Sequence, residues 1–96
     1  MRISEAQKLI RDIYGERDRK RGVDRTVIHL GEEVGELFRA IRDGNPSSLR
    51  EEFADVLAWL LSVADLLGVD LEEAFVARYG KGCPKCGNIP CTCPEV

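Results

Sequence analysis

LGEEVGEL, residues Leu30–Leu37, and EEFADVL, residues Glu51–Leu57, are the two stretches that decide the fold of this chain. Each places acids in sequence that otherwise has the apolar spacing of a helix core. Four of these acids form two pairs with i,i+3 spacing, one pair on each predicted helix: Glu33 with Glu36, and Glu52 with Asp55. Unpaired carboxylates are costly to bury, and oxygen ligands suit Mg²⁺. The pattern therefore indicates a divalent metal held between two helices.

The rest of the chain predicts helices and no strand, because alternation of apolar and polar residues never persists. Cap residues and glycines set the predicted bounds, which run from Ser4 to about Tyr14, from Asp24 to about Asp43, from Ser47 or Ser48 to about Leu67, and from Asp70 to about Tyr79. We expect an all-α, antiparallel four-helix bundle over residues 1–80, with two long and two short helices. A short Cys-rich tail over residues 81–96 follows.

Helical geometry gives the acids their directions. The predicted core stripe of helix 2 is Val27, Leu30, Val34, Leu37, Phe38 and Ile41, and that of helix 3 is Leu49, Phe53, Val56, Leu60, Val63 and Leu67. Glu33 and Glu36 lie on a second strip with His29, and Glu32 points further round. Glu52 projects into the core arc of helix 3. An acidic helix 2 could be an ordinary solvated face, but the second motif makes metal binding the better interpretation.

Size and charge limit the classes of function. Ninety-six residues form one small domain, which would gain stability from a metal or a partner subunit. The apolar surplus of helices 2 and 3 predicts a homodimer or a dimer of dimers packed through them. A net charge of −3 gives no general attraction to nucleic acid, which makes it an improbable partner. No apolar run could span a bilayer and no signal peptide is visible, so we expect no membrane association and a cytoplasmic location.

Three further features have two interpretations each. A basic run, comprising Arg17, Arg19, Lys20, Arg21 and Arg25, could be a solvated loop or could contact phosphate groups. His29 could support a ligand, although a lone histidine is more often structural. Trp59 and Phe53 could stack on a base, although at helical spacing they are more often part of the core.

The two acidic motifs, EExxE over 32–36 and ExxD over 52–55, resemble those of the MazG-type all-α nucleoside triphosphate pyrophosphohydrolases. The resemblance covers about residues 3–79, and related dimeric dUTPases and phosphoribosyl-ATP pyrophosphohydrolases share the general architecture. It implies Mg²⁺-dependent cleavage of a nucleotide between its α- and β-phosphates, which releases a monophosphate and pyrophosphate, as in nucleotide-pool clean-up.

The same resemblance assigns roles by motif position. Glu33, Glu36, Glu52 and Asp55 would bind Mg²⁺, for which Mn²⁺ could substitute. Glu32 would orient or deprotonate the attacking water. Cations for the outer phosphates usually come from the fourth helix and its flank, where Arg78 and Lys81 are what this chain offers.

The tail carries a separate signal, because all four cysteines lie within eleven residues: Cys83, Cys86, Cys91 and Cys93. A CPxCG turn is typical of zinc knuckles, and four thiolates would complete a structural Zn²⁺ site. Two disulfides or free thiols are the alternatives, and the compact CxC half departs from a standard knuckle. The alternative function for the whole chain is a non-catalytic helical adaptor whose zinc-binding tail contacts another protein.

Overall fold

Four α-helices make up the fold in a computed structural model that describes residues 1–95. They are α1 (Ile3–Arg21), α2 (Val23–Asp43), α3 (Pro46–Leu66) and α4 (Leu71–Tyr79), followed by an irregular Cys-rich tail. Within residues 1–95 there is no strand, so the predicted all-α fold is confirmed. No helix in that range combines the length and apolarity needed to cross a membrane.

Helix α3 is the element against which α1 and α2 pack. The turn between α2 and α3 is only two residues long, which makes these helices antiparallel neighbours. Helix α1 also runs antiparallel to α3, since Arg11 near its middle pairs with Asp65 at 2.8 Å while Arg21 at its end lies over Trp59. Helices α1 and α2 therefore lie on α3 in succession, joined at the single non-helical residue Gly22.

The predicted end of the first helix at Tyr14 was wrong, because α1 continues through Gly15 to Arg21. A helical glycine costs only about 1 kcal/mol relative to alanine. Here Gly15 also avoids crowding, since a Cβ would lie 3.1 Å from Arg19 Nη1 and 3.2 Å from Arg11 Cγ. The chain ends the helix at Gly22, whose φ of 87° is open to glycine. The fold therefore has three long helices and one short helix.

Three of the predicted caps were also wrong. Arg2 and Gly22 precede α1 and α2 in place of Ser4 and Asp24. Asn45, and not a serine, caps α3: its side-chain oxygen accepts the backbone N–H groups of Ser47 and Ser48 at 3.0 and 3.2 Å. The missed signal was Asn-Pro, because proline is favoured in the first turn directly after a capping asparagine. The Asp70 cap of α4 is confirmed.

The buried apolar core of the single chain is small and lies largely on the unpredicted side of α3. It consists of Ala40, Leu61, Val63 and Ala64. Most of the two predicted core stripes is instead accessible, with Phe38 66%, Phe53 55% and Leu67 59% exposed. Helices α1 and α2 both pack on α3, but within one chain they bury only Val63 of the two predicted stripes.

A buried amide fixes α4 to the start of α1. The side chain of Gln7, which is only 5% exposed, donates to the Val69 carbonyl at 2.8 Å and accepts the Leu71 N–H at 3.0 Å. Ser4 donates from both its backbone and its hydroxyl to the Glu72 carboxylate at 3.2 Å. Helix α4 is thus held at the end of the molecule away from the α2–α3 turn.

Candidate metal centre

Three carboxylates meet between α2 and α3. One oxygen each from Glu33, Glu36 and Glu52 lies within 4.8 Å of the others. The short α2–α3 turn sets the register of the hairpin, and i,i+3 spacing puts Glu33 and Glu36 on one face of α2. Asp55 lies one turn beyond Glu52 and outside this tightest group. It is nevertheless near enough to act electrostatically on Glu33.

The electrostatics of the cluster favour a cation. The pKa of Glu33 is raised above its ordinary value of 4.5, first by desolvation and then by a hydrogen bond with Glu52 and by the charges of Glu52, Asp55 and Glu36. Glu52 provides a second observation in favour of a cation, because its Oε2 is buried and has no hydrogen-bond partner. A buried polar atom without a partner is destabilising unless something binds it.

These residues fit Mg²⁺. Hard cations prefer carboxylate oxygens, and Mg²⁺ is commonly bound through a small number of carboxylates together with substrate phosphates. The unpartnered Oε2 of Glu52 supplies a free ligand atom directed into protein, and Asp55 on the next turn extends the acid set. The structure brings together three of the four ligands predicted from the sequence, and their binding of a metal stays a prediction.

Glu32 is not part of the group of three converging carboxylates. Its Oε2 lies 3.4 Å from His29 Nδ1, and its side chain is 63% exposed. The His29 ring in turn stacks on Trp59, with 4.9 Å between ring centroids. Glu32 is therefore an accessible carboxylate beside an imidazole, which is a chemically suitable pair for accepting a proton from water.

A cleft next to the acids brings in part of the basic run. Its walls come from α1 and α3 and consist of Tyr14, Arg17, Asp18, Arg21, Asp55, Ala58, Trp59 and Ser62. Its volume is about 170 Å³, below the roughly 300–1,000 Å³ of typical small-molecule sites. Because α1 extends through residues that were predicted to be a connection, Arg17 and Arg21 are placed on a helix beside Asp55.

Arg21 is held in place by a buried network that the sequence did not reveal. Its Nη1 donates to Asp18 at 2.8 Å and to the Thr26 hydroxyl at 3.3 Å, and its guanidinium carbon lies 5.0 Å from the centroid of the Trp59 ring. Asp18 is 4% exposed and Thr26 is fully buried. Asp18 precedes Arg21 by three residues, and Thr26 follows it by five. The sequence alone does not predict the contact with Thr26, because that contact depends on how the chain turns at Gly22.

Arg78 and Lys81 are not joined to the acids by any contact within residues 1–95. Arg78 lies over the ring of Tyr79, with 5.8 Å from its guanidinium carbon to the ring centroid. Lys81 is exposed just beyond α4. Their predicted role in binding phosphate stays a prediction, whereas Arg17 and Arg21 share a cleft with Asp55.

The four cysteines also converge, in the tail and with no disulfide among them. Their four Sγ atoms all lie within 4.8 Å of one another, so the group could bind a metal. Backbone N–H groups of Thr92 and Asn88 lower the pKa of Cys86 to about 5. Hydrogen bonding to the Cys91, Cys83 and Cys86 sulfurs raises the pKa of Cys93 to about 11.

Within an all-α fold, the EExxE and ExxD motifs thus bring Glu33, Glu36 and Glu52 together, with Asp55 one turn beyond them. Residues 21–86 match the MazG nucleotide pyrophosphohydrolase domain, and the chain belongs to that family. This confirms the family resemblance of the helical part; the match does not account for the cysteine tail.

Two characterised relatives are similar over about half of the chain. The dATP/dGTP diphosphohydrolase of Cyanophage S-2L is 45% identical over 53 residues, which is 55% of this chain and 47% of the relative. The histidine biosynthesis bifunctional protein HisIE of Thermus thermophilus is 42% identical over 52 residues, or 54% of this chain and 24% of the relative. The matches thus span less than half the length of each relative.

Proposed function

We propose that the chain is a Mg²⁺-dependent pyrophosphohydrolase that cleaves a nucleoside triphosphate between its α- and β-phosphates, yielding a monophosphate and pyrophosphate. Family membership supports a nucleotide as substrate. The observation that carries the proposal is the unpartnered, buried Oε2 of Glu52 inside a group of three converging carboxylates. The apolar packing of α3 does not require an acid at the position of Glu52, whereas the binding of a cation would require one.

In this mechanism Glu33, Glu36, Glu52 and Asp55 would hold the metal. When bound, Mg²⁺ neutralises charge on a triphosphate that four carboxylates alone would repel. Glu32 orients a water molecule and accepts its proton, with His29 at 3.4 Å to position the carboxylate. The water oxygen forms a bond to the α-phosphorus while the bond between that phosphorus and the α–β bridging oxygen breaks. Pyrophosphate then leaves with the bridging oxygen.

Cations must also meet the outer phosphates, and besides Arg78 and Lys81 the basic run offers two candidates for this role. Arg17 and Arg21 line the cleft that Asp55 borders, and Arg21 is held rigidly by Asp18. Arginine binds phosphate oxygens bidentately, so a fixed guanidinium suits this role. Arg78 and Lys81 would contribute only if nucleotide binding or a second subunit brings them near.

The site is proposed to be completed by a second copy of the chain. The single chain exposes 7405 Å², against about 5,500 Å² for a compact monomer of this mass. Its radius of gyration is 15.7 Å, against about 12.5 Å for a compact domain of this length. Exposed apolar side chains in the predicted stripes of α2 and α3, such as Phe38 and Phe53, contribute to this surface. A homodimer or dimer of dimers packed through these helices would bury that apolar surface.

The decisive experiment is product analysis. The protein is incubated with Mg²⁺ and a panel of dNTPs and NTPs, beginning with dATP and dGTP because one relative carries those substrates in its name. We expect monophosphate and pyrophosphate in equal amounts. Glu36→Gln and Asp55→Asn should lower kcat at least about 100-fold, as removal of one electrostatic group in an active site does.

Glu51→Gln is the matched control, since Glu51 lies next to Glu52 in sequence but is exposed and outside the cluster. It should leave the rate unchanged. Diphosphate and inorganic phosphate as products would reject the proposed reaction. An absence of hydrolysis over the whole panel, with metal bound only by the cysteines, would favour the helical adaptor.

A further inference from the structure

The cysteine tail has the dimensions of a metal site that the nucleotide chemistry does not use. Cys83 Sγ lies 3.8 Å from Cys93 Sγ and 3.7 Å from Cys91 Sγ, and Cys86 Sγ lies 4.0 Å from Cys91 Sγ. A tetrahedron with Zn–S bonds of about 2.3 Å has S···S edges of about 3.8 Å. These three sulfur–sulfur separations match such edges, and they are far longer than the roughly 2.05 Å of a disulfide bond.

The backbone around the sulfurs is folded as a knuckle. Gly87, at a φ of 77°, turns the chain so that its N–H donates to the Cys83 carbonyl at 2.7 Å, and the Cys83 N–H donates to the Asn88 carbonyl at 3.2 Å. Gly82, at a φ of 120°, has no room for a side chain, since a Cβ there would lie 2.9 Å from Ile89 Cγ1. The loop is therefore shaped around the four sulfurs.

Hydrogen-bond donors point at the sulfurs. The Thr92 N–H donates to Cys86 Sγ and the Cys93 N–H donates to Cys91 Sγ, each at 3.4 Å. Four thiolates around one Zn²⁺ leave a net negative charge on the site, which such donors offset. Lys81 and Lys85 add positive charge within the same segment.

Apolar packing does not explain why the cysteine tail is folded. The large apolar side chain of the loop, Ile89, is 81% exposed, and the segment has no buried residue between 81 and 95. A loop of this length with no core of its own requires a crosslink or a metal to stay folded. Thiolates are soft ligands that favour zinc over Mg²⁺.

We propose that Cys83, Cys86, Cys91 and Cys93 bind one structural Zn²⁺ in a closed tetrahedral site that folds the tail against the end of α4. Each cysteine thiol that is still protonated releases its proton to solvent as its Zn–S bond forms. No coordination position remains open, so the ion has no part in hydrolysis. The tail is a folded knuckle in the zinc form and an unfolded extension without zinc.

The test is metal analysis of the full chain, produced in medium containing zinc and purified under reducing conditions. Brief treatment with a weak chelator removes metal from the acid cluster before zinc and protein are quantified. We expect one zinc per chain, retained in Glu36→Gln and in Lys85→Gln, the control within the tail. Cys86→Ser and Cys93→Ser should each lose affinity by about 100-fold or more, since even changes beyond the ligands cost about 10–100-fold.

Cobalt replacement provides the coordination geometry. The visible spectrum of the Co²⁺ form should show the intense bands of a tetrahedral thiolate site, and each Cys→Ser variant should change them while circular dichroism shows that the helices are intact. Zinc lost with Glu36→Gln but kept in Cys86→Ser would overturn the proposal. So would a mass deficit of four hydrogens in wild type isolated without reductant, which identifies two disulfides.

Discussion

Replacing Glu33 by glutamine should stabilise the metal-free protein and weaken its response to Mg²⁺. Glutamine keeps the shape of the side chain and removes one of the charges that converge between α2 and α3. Without a metal, the Glu33 carboxylate is repelled by Glu52, Asp55 and Glu36, which together with desolvation raise its pKa. With a metal bound, the same carboxylate is a predicted ligand, so its loss should lower the stability of the metal-bound protein.

The spacing of the carboxylates sets the size of the effect. Two unit charges at 4.8 Å repel by about 0.9 kcal/mol in water and by about 3.5 kcal/mol at an effective dielectric constant of 20. The Glu33 side chain is only half-buried, so solvent screening keeps the value near the lower limit. We expect a gain of about 1 kcal/mol in the free energy of unfolding at low ionic strength, or a rise in Tm of about 4–8 °C.

Thermal melts at pH 8, with chelator or with saturating Mg²⁺, measure both directions. Mg²⁺ at 100 times its Kd should stabilise the wild type by about 2.7 kcal/mol, whereas Glu33→Gln should gain much less, so the order of the two Tm values reverses. The control, Glu51→Gln, should follow the wild type in both conditions. A metal-free Glu33→Gln variant that melts below the wild type, with unchanged helicity, would refute the idea that the acids repel one another.

Three other predictions follow from the same structure. In the metal-free protein, the raised pKa of Glu33 adds stability that is fully present below pH 4.5 and lost as pH rises through the raised value, so Tm should fall across that window and Mg²⁺ should suppress the fall. Gln7→Leu should cost about 2–4 kcal/mol in urea unfolding because the Val69 carbonyl and Leu71 N–H lose their partner, whereas Lys8→Gln on the exposed face should change little. Phe38→Arg should shift light-scattering mass to the monomer, and an unchanged mass would place the interface elsewhere.

The sequence predicted the convergence of these acids better than it predicted the helix beside them. Two i,i+3 acid pairs joined by a short turn leave little freedom, so the convergence of Glu33, Glu36 and Glu52 follows from helical geometry and hairpin register alone. The length of α1 does not follow in this way. Its second half, from Gly15 onwards, is charged and contains glycine, which is the composition of a loop. Ion pairs such as Asp18–Arg21 and packing against α3 make it helical, and neither is visible from local propensity.

The predicted core stripes fail for a reason that bears on function. Apolar periodicity identifies positions that are covered in the working protein, but it does not say which chain covers them. Phe38 and Phe53 have the spacing of core residues and are exposed in one chain, while Leu61 and Ala64 are buried instead. If a second copy packs on the exposed stripes, both the surplus surface and the small cleft beside Asp55 have the same explanation. A dimer-breaking variant such as Phe38→Arg should then raise KM for the nucleotide as well as halve the mass, whereas a site complete in one chain would keep its KM.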